Sequence, residues 1–534
     1  MYGNCGPKPS QAPCFMLEYA QVRLFRFYPL ISTLYSKEHY KRPKPKSQAR
    51  PPHFPNLQVW SDQMATLNHD IFRMVLQELS DMSQFAGPLL AAMTSCRNMY
   101  RLGIQVLLDR GVVLESEDAV MSFCSFISSS NYAHASLFRS SLVLHSAYLS
   151  SKALDALVEV VRRATRLEAI SILDLDVILG SAPELAQALV DLPSLKKLEV
   201  DARKPTSALQ DLLGTLSACL THAIIDIESS HGHWPANPLL LLENSFETLQ
   251  ELRLGGATMF PSGWDKISLP NLKDLALIDV RLPSPDILAH TLPRLCNLEI
   301  CDICWDRDEL VDVKMAELRR RDNLLRQEKN GSWPKLESVR GPLEDVFALG
   351  LTCPVSKLVI EENGQSNAGW DMLRELLVFT PKLEQLELII MEESFPPAQP
   401  TDTHNAAISS THMRLWETLS GISSLVGESG CKLKRLELDV HLPCARHACD
   451  PFSPTTDIHG VMHPRCPISD GIWRYEVVSD AEKFFRDTPT LSDVRLRLRH
   501  HDDAIAVWDC MPPDQVVHIG GLVPTPAEIE EYDL

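Results

Sequence analysis

Apolar positions in this chain change their period at short intervals. Stretches in which they recur every three or four residues, as on one face of a helix, stop near a proline and give way to alternation at every second residue, as on one face of a strand. The junction carries a phrase of the form Pro-x-Leu-x-x-Leu-x-Leu, ten times in full or worn form. It is plain at residues 192–200 (LPSLKKLEV), 269–277 (LPNLKDLAL), 292–300 (LPRLCNLEI) and 380–388 (TPKLEQLEL). Looser copies run over 165–172, 248–254, 333–339, 353–360, 431–438 and 488–496. A unit this small cannot bury its apolar side alone, so the copies must stack. The predicted fold class is therefore α/β, a repetitive array of strands and helices that grows along one axis.

The leading leucines are Leu167, Leu195, Leu249, Leu272, Leu295, Leu336, Leu383, Leu433 and Leu491, at separations of 28, 54, 23, 23, 41, 47, 50 and 58. The 54 and 47 hold weaker copies, around 220–227 and 355–360; the 41, 50 and 58 require insertions, near 301–332, 391–430 and 440–478. The first insertion reads as a charged helix from Arg307 to Lys329, the second opens on a Pro-rich loop, and the third is rich in Cys, His and Pro. Such insertions fall at loops, often on the working face. Helix starts are expected at Ser181-Ala182-Pro183-Glu184 and Ser479-Asp480-Ala481-Glu482, which place a hydroxyl three residues before a Glu, and at Ser284-Pro285. The array is expected to open with a strand over 137–144. Ahead of it, Ile71, Met74, Val75 and Leu79 share one helical face, and a second apolar helix is expected from Leu89 to Leu108. The resulting division is a basic segment predicted disordered over 1–60, a small helical module over 61–115, the array over 116–510 and an acidic tail over 511–534.

Charge sharpens this division. The net charge of -19 is uneven: residues 1–60 hold 9 Lys/Arg against 2 Asp/Glu, which leaves 42 against 68, or -26, for the remainder. A body that acidic repels phosphate, so nucleic acid is not an expected partner. The tract Lys41-Arg42-Pro43-Lys44-Pro45-Lys46 reads as a solvated linker or a nuclear-import signal. The 14 cysteines are scattered, and Cys96, Cys124, Cys219, Cys296 and Cys353 lie in apolar stretches, which suits a reducing compartment. Residues 15–35 are interrupted by Glu18, Arg23 and Arg26, so neither a membrane span nor a secretory signal is expected. A cytoplasmic or nuclear location follows.

Two groups of residues then resemble known families. Residues 67–79 (LNHDIFRMVLQEL) followed by 89–100 (LLAAMTSCRNMY) resemble an F-box: an entry turn, an apolar helix, a turn, then leucine, Cys-Arg and an aromatic. Asn68 stands where that motif carries proline. The repeats are similar to leucine-rich repeats of the long type, although Arg203, Ala257, Val280, Ile303, Met391 and His441 stand where those carry Asn or Cys. Together the likeness, over about residues 67–500, is to the F-box/leucine-rich-repeat proteins, substrate receptors of cullin-RING ubiquitin ligases. It implies a leucine-rich-repeat solenoid, with parallel strands on the concave side and helices outside, preceded by an all-α F-box-like module. It further implies an adaptor subunit of the ligase and a protein substrate as partners, with Leu67, Asp70, Ile71, Leu76, Leu79, Leu89, Leu90, Cys96 and Arg97 at the adaptor. A repeat scaffold that never meets a ligase is the alternative.

On the strands, the residues between the leucines point away from the core. They are Lys197, Glu199 and Asp201; Glu251 and Arg253; Asp274; Asn297 and Glu299; Gln385 and Glu387; Arg435, Glu437 and Asp439; and Asp493, Arg495, Arg497 and Arg499. The expected binding face is acidic in the middle and basic at its C-terminal end. For catalysis there is no Gly-rich phosphate loop, no Gly-x-Ser-x-Gly and no His-Glu-x-x-His, so the chain is not expected to be an enzyme or to need a cofactor. His441, Cys444, His447, Cys449, His459, His463 and Cys466 are zinc-ligand types, but their spacing fits no finger pattern and the prolines among them indicate a loop. Cys301 and Cys304 form a lone CxxC, read as plain thiols.

Overall fold

The computed structural model describes residues 73–77, 87–95, 97–129, 131–146, 148–216, 219–227, 238–256, 267–280, 284–301, 313–362, 367–391, 418–442, 477–500, 504–510 and 521–522. They form an α/β protein in which helices alternate with parallel strands. Contacts divide the chain into two units, Met1–Asp201 with Ser207–Ala218, and Ala202–Thr206 with Cys219–Leu534.

In the first unit, β1 (Val112–Leu114), β2 (Ser141–Leu144), β3 (Ala169–Ile172) and β4 (Lys197–Ala202) pair in chain order, all parallel. β1 lies in the stretch read as part of the helical module, so strand pairing begins earlier than the repeats suggested. Its three residues are too short to carry the leucine phrase. The expected single helix over 89–108 is instead two, Gly87–Ser95 and Arg97–Asp109. The expected first strand is confined to β2, because residues Ala135–Leu137 are a 3-10 turn. The helix Ser151–Arg163 has a cap that the sequence reading missed: Ser150 Oγ accepts from the Ala153 amide at 3.3 Å and donates to Glu117 Oε1 at 2.6 Å.

In the second unit, β5 (His222–Ile227), β6 (Glu251–Gly255), β7 (Asp274–Ile278), β8 (Asn297–Cys301), β9 (Leu336–Pro342), β10 (Val355–Glu362), β11 (Gln385–Met391), β12 (Arg435–Leu442) and β13 (Asp493–His500) also pair parallel in chain order. β14 (Ala504–Cys510) then runs antiparallel to β13, and β15 (Gly521–Leu522) antiparallel to β14. β15 lies in the stretch expected to be only a tail.

The recurring phrase sets this geometry. After each proline the chain turns so that the leading leucine amide donates to the carbonyl three residues back: Leu272 to Leu269 and Leu295 to Leu292 at 3.2 Å, Leu383 to Thr380 and Leu491 to Thr488 at 3.0 Å. The next amide makes the first bond to the preceding copy, Lys273 to Gln250 at 2.8 Å, Cys296 to Lys273 at 2.8 Å and Lys434 to Glu384 at 2.8 Å. Register is thereby fixed before the strand begins. Leu252, Leu275, Leu298, Val339, Leu358, Leu386, Leu436 and Val494 become one unbroken row, all buried. Each leucine in it contributes about 1.5–3 kcal/mol by leaving water.

The charged first insertion is the 18-residue helix Val313–Asn330. It is part of the helical layer rather than a protruding loop, because Ala316, Arg320, Asn323 and Gln327 form a buried stripe. Asn323 Nδ2 donates to Ala348 O at 2.8 Å, and Gln327 Nε2 to Leu349 O at 3.1 Å and Gly350 O at 2.8 Å. Those carbonyls end the short helix Leu343–Leu349, where backbone acceptors have no intrahelical partner. Arg320 pairs with Glu375 and lies over the rings of Phe347 at 4.3 Å and Phe379 at 4.6 Å. Gly341 sits where other strands carry a large apolar residue, because a Cβ there would lie 2.3 Å from the Ile300 carbonyl oxygen.

Two expected caps are not formed. Ser181 closes the helix Leu175–Ser181 and its hydroxyl donates back to Val177 O at 3.2 Å, while Pro183 precedes the next helix without a side-chain cap. Ser479 lies inside the helix Val477–Asp487. Ser284 and Pro285 do open the helix Pro285–Thr291 as expected.

Candidate interaction surface

The leucine side of the strands in the second unit is buried, and the opposite side is mostly half-exposed. Register arranges that side in rows. The first row is His222, Glu251, Asp274, Asn297, Ser338, Lys357, Gln385, Arg435 and Asp493; the second is Ile224, Arg253, Ala276, Glu299, Arg340, Val359, Glu387, Glu437 and Arg495. A third, at the strand ends, contains Asp226, Gly255, Ile278 and Cys301, and further along Glu361, Ile389, Asp439 and Arg497. Glu251, Arg253, Asp274, Glu299, Glu387, Arg435, Glu437, Arg495 and Arg497 thus share one face, as alternation predicts. Lys197 and Glu199 lie on β4 in the first unit, opposite Ala169 and Ser171.

The sequence reading passed over Arg340, Lys357 and Glu361 on this face, and His222 and Asp226 on β5. Their strands carry worn phrases, so only continued alternation from Leu336, Val355 and Leu220 could have found them. Glu361 pairs with Arg340 at 2.9 Å.

Electrostatics differ along the face. From β9 to β13 opposite charges interlock between neighbouring strands. Lys357 meets Glu387 at 3.0 Å, Arg435 meets Glu437 at 2.8 Å and Asp493 at 3.2 Å, and Arg497 meets Glu437 at 3.4 Å and Asp439 at 4.0 Å. His441 Nε2 is 3.5 Å from Asp439, which is only 4% exposed. Among the described residues, β12 thus supplies counter-charges to Arg497 of β13 across the ladder, and Arg435 meets Asp493; the side chain of Arg499, expected to add to a basic end, lies outside the described residues.

From β5 to β8, among the described residues, acids outnumber cations. Glu251 lies directly opposite Asp274, and Asp226 and Glu299 share the face. Asp279, in the left-handed region just past β7, is near enough to Asp226 to act on it. Burial pushes the Asp226 carboxyl above its usual range; Arg253 and the Ile227 amide hold it down in part, and Asp279 adds to the rise. A Cβ on Gly255 would lie 2.2 Å from Asp226 Oδ1, so this carboxylate rests against bare backbone.

The residues expected to meet an adaptor are only partly described. Leu67, Asp70, Ile71, Leu79 and Cys96 lie outside the described residues, as does the side chain of Leu90. Leu76 and Leu89 are 0% and 1% exposed and pack inward, whereas Met74 and Val75 on the same helical stretch are 66% and 45% exposed. Arg97 is exposed. Among the zinc-type residues only His441 is described, and no group of three or more metal-ligand side chains occurs among the described residues. Cys304 is likewise outside them. Of the cysteines expected in apolar stretches, Cys124 and Cys353 are buried, Cys296 is half-exposed and Cys219 is exposed; Cys431 is buried as well. No helix among the described residues is long and apolar enough to cross a membrane.

Comparison with protein-family models gives no match, and comparison with curated protein sequences gives none either.

Proposed function

We propose that this chain is a leucine-rich-repeat solenoid acting as the substrate-recognition subunit of an F-box type cullin-RING ubiquitin ligase. The observation that carries the reading is the open sheet face of the second unit: nine parallel strands in chain order hold polar side chains in straight rows, a rigid surface suited to another protein. In this reading the N-terminal helices dock on the adaptor by the helix-in-groove mode and the rows hold the substrate. Ubiquitin transfer is performed by other subunits, and the chain contributes by raising effective concentration.

The test is co-purification of the full chain with the ligase adaptor subunit, beside the Met74→Asp/Val75→Asp variant. Retention by the wild type and loss in the variant support the reading; no retention of the wild type overturns it.

A second reading, a repeat scaffold outside any ligase, is favoured by two observations. Asn68 replaces the proline of the F-box entry turn, and Leu76 and Leu89 are turned inward rather than offered to a partner. The same experiment separates the two.

A further inference from the structure

We propose that the part of the open face built by β5 to β8 docks a Lys/Arg-rich, extended segment of a protein partner. This rests on the reading of the sheet face as the recognition surface and names the chemistry of what it takes.

Charge is distributed unevenly within one sheet. Between β9 and β13 the face satisfies itself, since Lys357, Arg435 and Arg497 each lie within 4.0 Å of a carboxylate on their own or a neighbouring strand. Between β5 and β8, among the described residues, it does not. Four acids, Asp226, Glu251, Asp274 and Glu299, face one arginine, Arg253, and one histidine, His222, which lies 3.4 Å from Glu251. The cation that register places opposite Glu299 is Arg340, but its guanidinium turns to Glu361.

The second observation is the pairing of two acids. Glu251 and Asp274 are direct neighbours across the β6–β7 ladder, and like charges placed directly opposite disfavour a cross-strand pair. Asp274 is held by Asn297 Nδ2 at 2.5 Å, a neutral donor that cannot cancel the charge. In the same row β10 and β12 carry cations, Lys357 and Arg435. A cationic partner supplies the missing counter-charges.

The third observation concerns shape. Ile224, Ala276 and Ile278 stand half-exposed among the acids, so the face offers apolar footing beside each carboxylate. That suits the long methylene stems of Lys and Arg, which lie on apolar surface while the charged head reaches an acid. A small inorganic cation would use the carboxylates but not the isoleucines.

The test uses the full chain and a fluorescein-labelled peptide of alternating Lys and Ala, read by anisotropy, with an alternating Glu-Ala peptide as the opposite-charge probe. The wild type binds the Lys-Ala peptide and not the Glu-Ala peptide, and binding weakens as salt screens charge beyond about 10 Å at 0.1 M. The Glu251→Gln/Asp274→Asn variant binds at least about fivefold more weakly, while Glu387→Gln/Asp493→Asn, in the balanced lattice, binds as the wild type does. Both variants are checked by thermal melting, and Glu299→Gln alone serves as a separate arm if the first variant melts early. Equal losses in the two double variants would mean general attraction to an acidic chain and would overturn the proposal, as would no binding by the wild type. The adaptor is absent from this experiment, so failure of the ligase reading leaves its outcome unaffected.

Discussion

Gln327→Leu tests whether the inserted helix is structural. Gln327 is buried on the helix Val313–Asn330 and serves both sides of its amide. Nε2 donates to Leu349 O at 3.1 Å and Gly350 O at 2.8 Å, and Oε1 accepts from Ser332 Oγ at 3.0 Å and from the Thr352 amide at 3.3 Å. Leucine keeps nearly the same volume but removes every one of these bonds. Two carbonyls at a helix end and one backbone amide lose their partners, and a buried group left unsatisfied costs about 1–3 kcal/mol. Ser332, half-exposed, regains its bond from water, and the added apolar burial offsets about 1.5 kcal/mol. The net expected loss is about 3 kcal/mol. The assay is urea unfolding followed by circular dichroism, with hydrogen exchange across residues 343–352 as the local readout. Glu328→Gln, on the exposed side of the same helix, is the control and should stay within about 0.5 kcal/mol. If Gln327→Leu lowers stability by less than about 1 kcal/mol and leaves exchange unchanged, the helix is an appendage and not part of the helical layer.

Leu386→Ala, in the middle of the buried row, should cost about 2–5 kcal/mol in the same unfolding assay. Gly341→Ala should destabilise although alanine is the smaller conformational burden elsewhere, since its Cβ meets the Ile300 carbonyl at 2.3 Å; a melting temperature equal to wild type would contradict the close approach. Asp226 has a raised folded pKa, so the native state holds its proton more tightly than the unfolded chain. Its penalty is absent below the unfolded value of 3.8, grows as pH rises towards the folded value and is complete above it. Asp226→Asn should therefore raise the melting temperature at pH 7 and leave it little changed at pH 3. Iodoacetamide on the native chain should label the exposed Cys219 well before Cys124 and Cys353, whose thiols burial pushes up to about 12 and about 11; peptide mass spectrometry gives the order.

Much of the strand plan is legible in the sequence because the leucine phrase couples three local requirements: a helix stop, a turn and a period-two apolar face. Wherever all three are present, as at residues 269–277 and 292–300, the strand falls where it is read. β1 is not legible because three residues show no period. The inserted helix reads as a helix but falls among the loops, since its buried stripe of Ala316, Arg320, Asn323 and Gln327 looks polar until the ends of its neighbours supply carbonyls, rings and Glu375. The face residues were legible strand by strand, but their charge balance was not. It is a property of register between strands up to 58 residues apart, such as β12 and β13, and no local window contains it. Helix caps failed for a related reason: Ser181 has the right spacing to Glu184 yet spends its hydroxyl on the helix it ends.

The strand reversal after β13 bears on how such a chain lengthens over evolutionary time. A parallel ladder has no internal reason to stop, since its last member always offers the same free backbone groups as the one before. β14 answers that edge in the opposite sense, so any further copy appended behind it would meet a reversed template and could not inherit the register of its predecessors. Duplication is instead admissible in the interior. The uniform interval of 23 residues shared by β6, β7 and β8 is where an additional unit would slot in with every row continued.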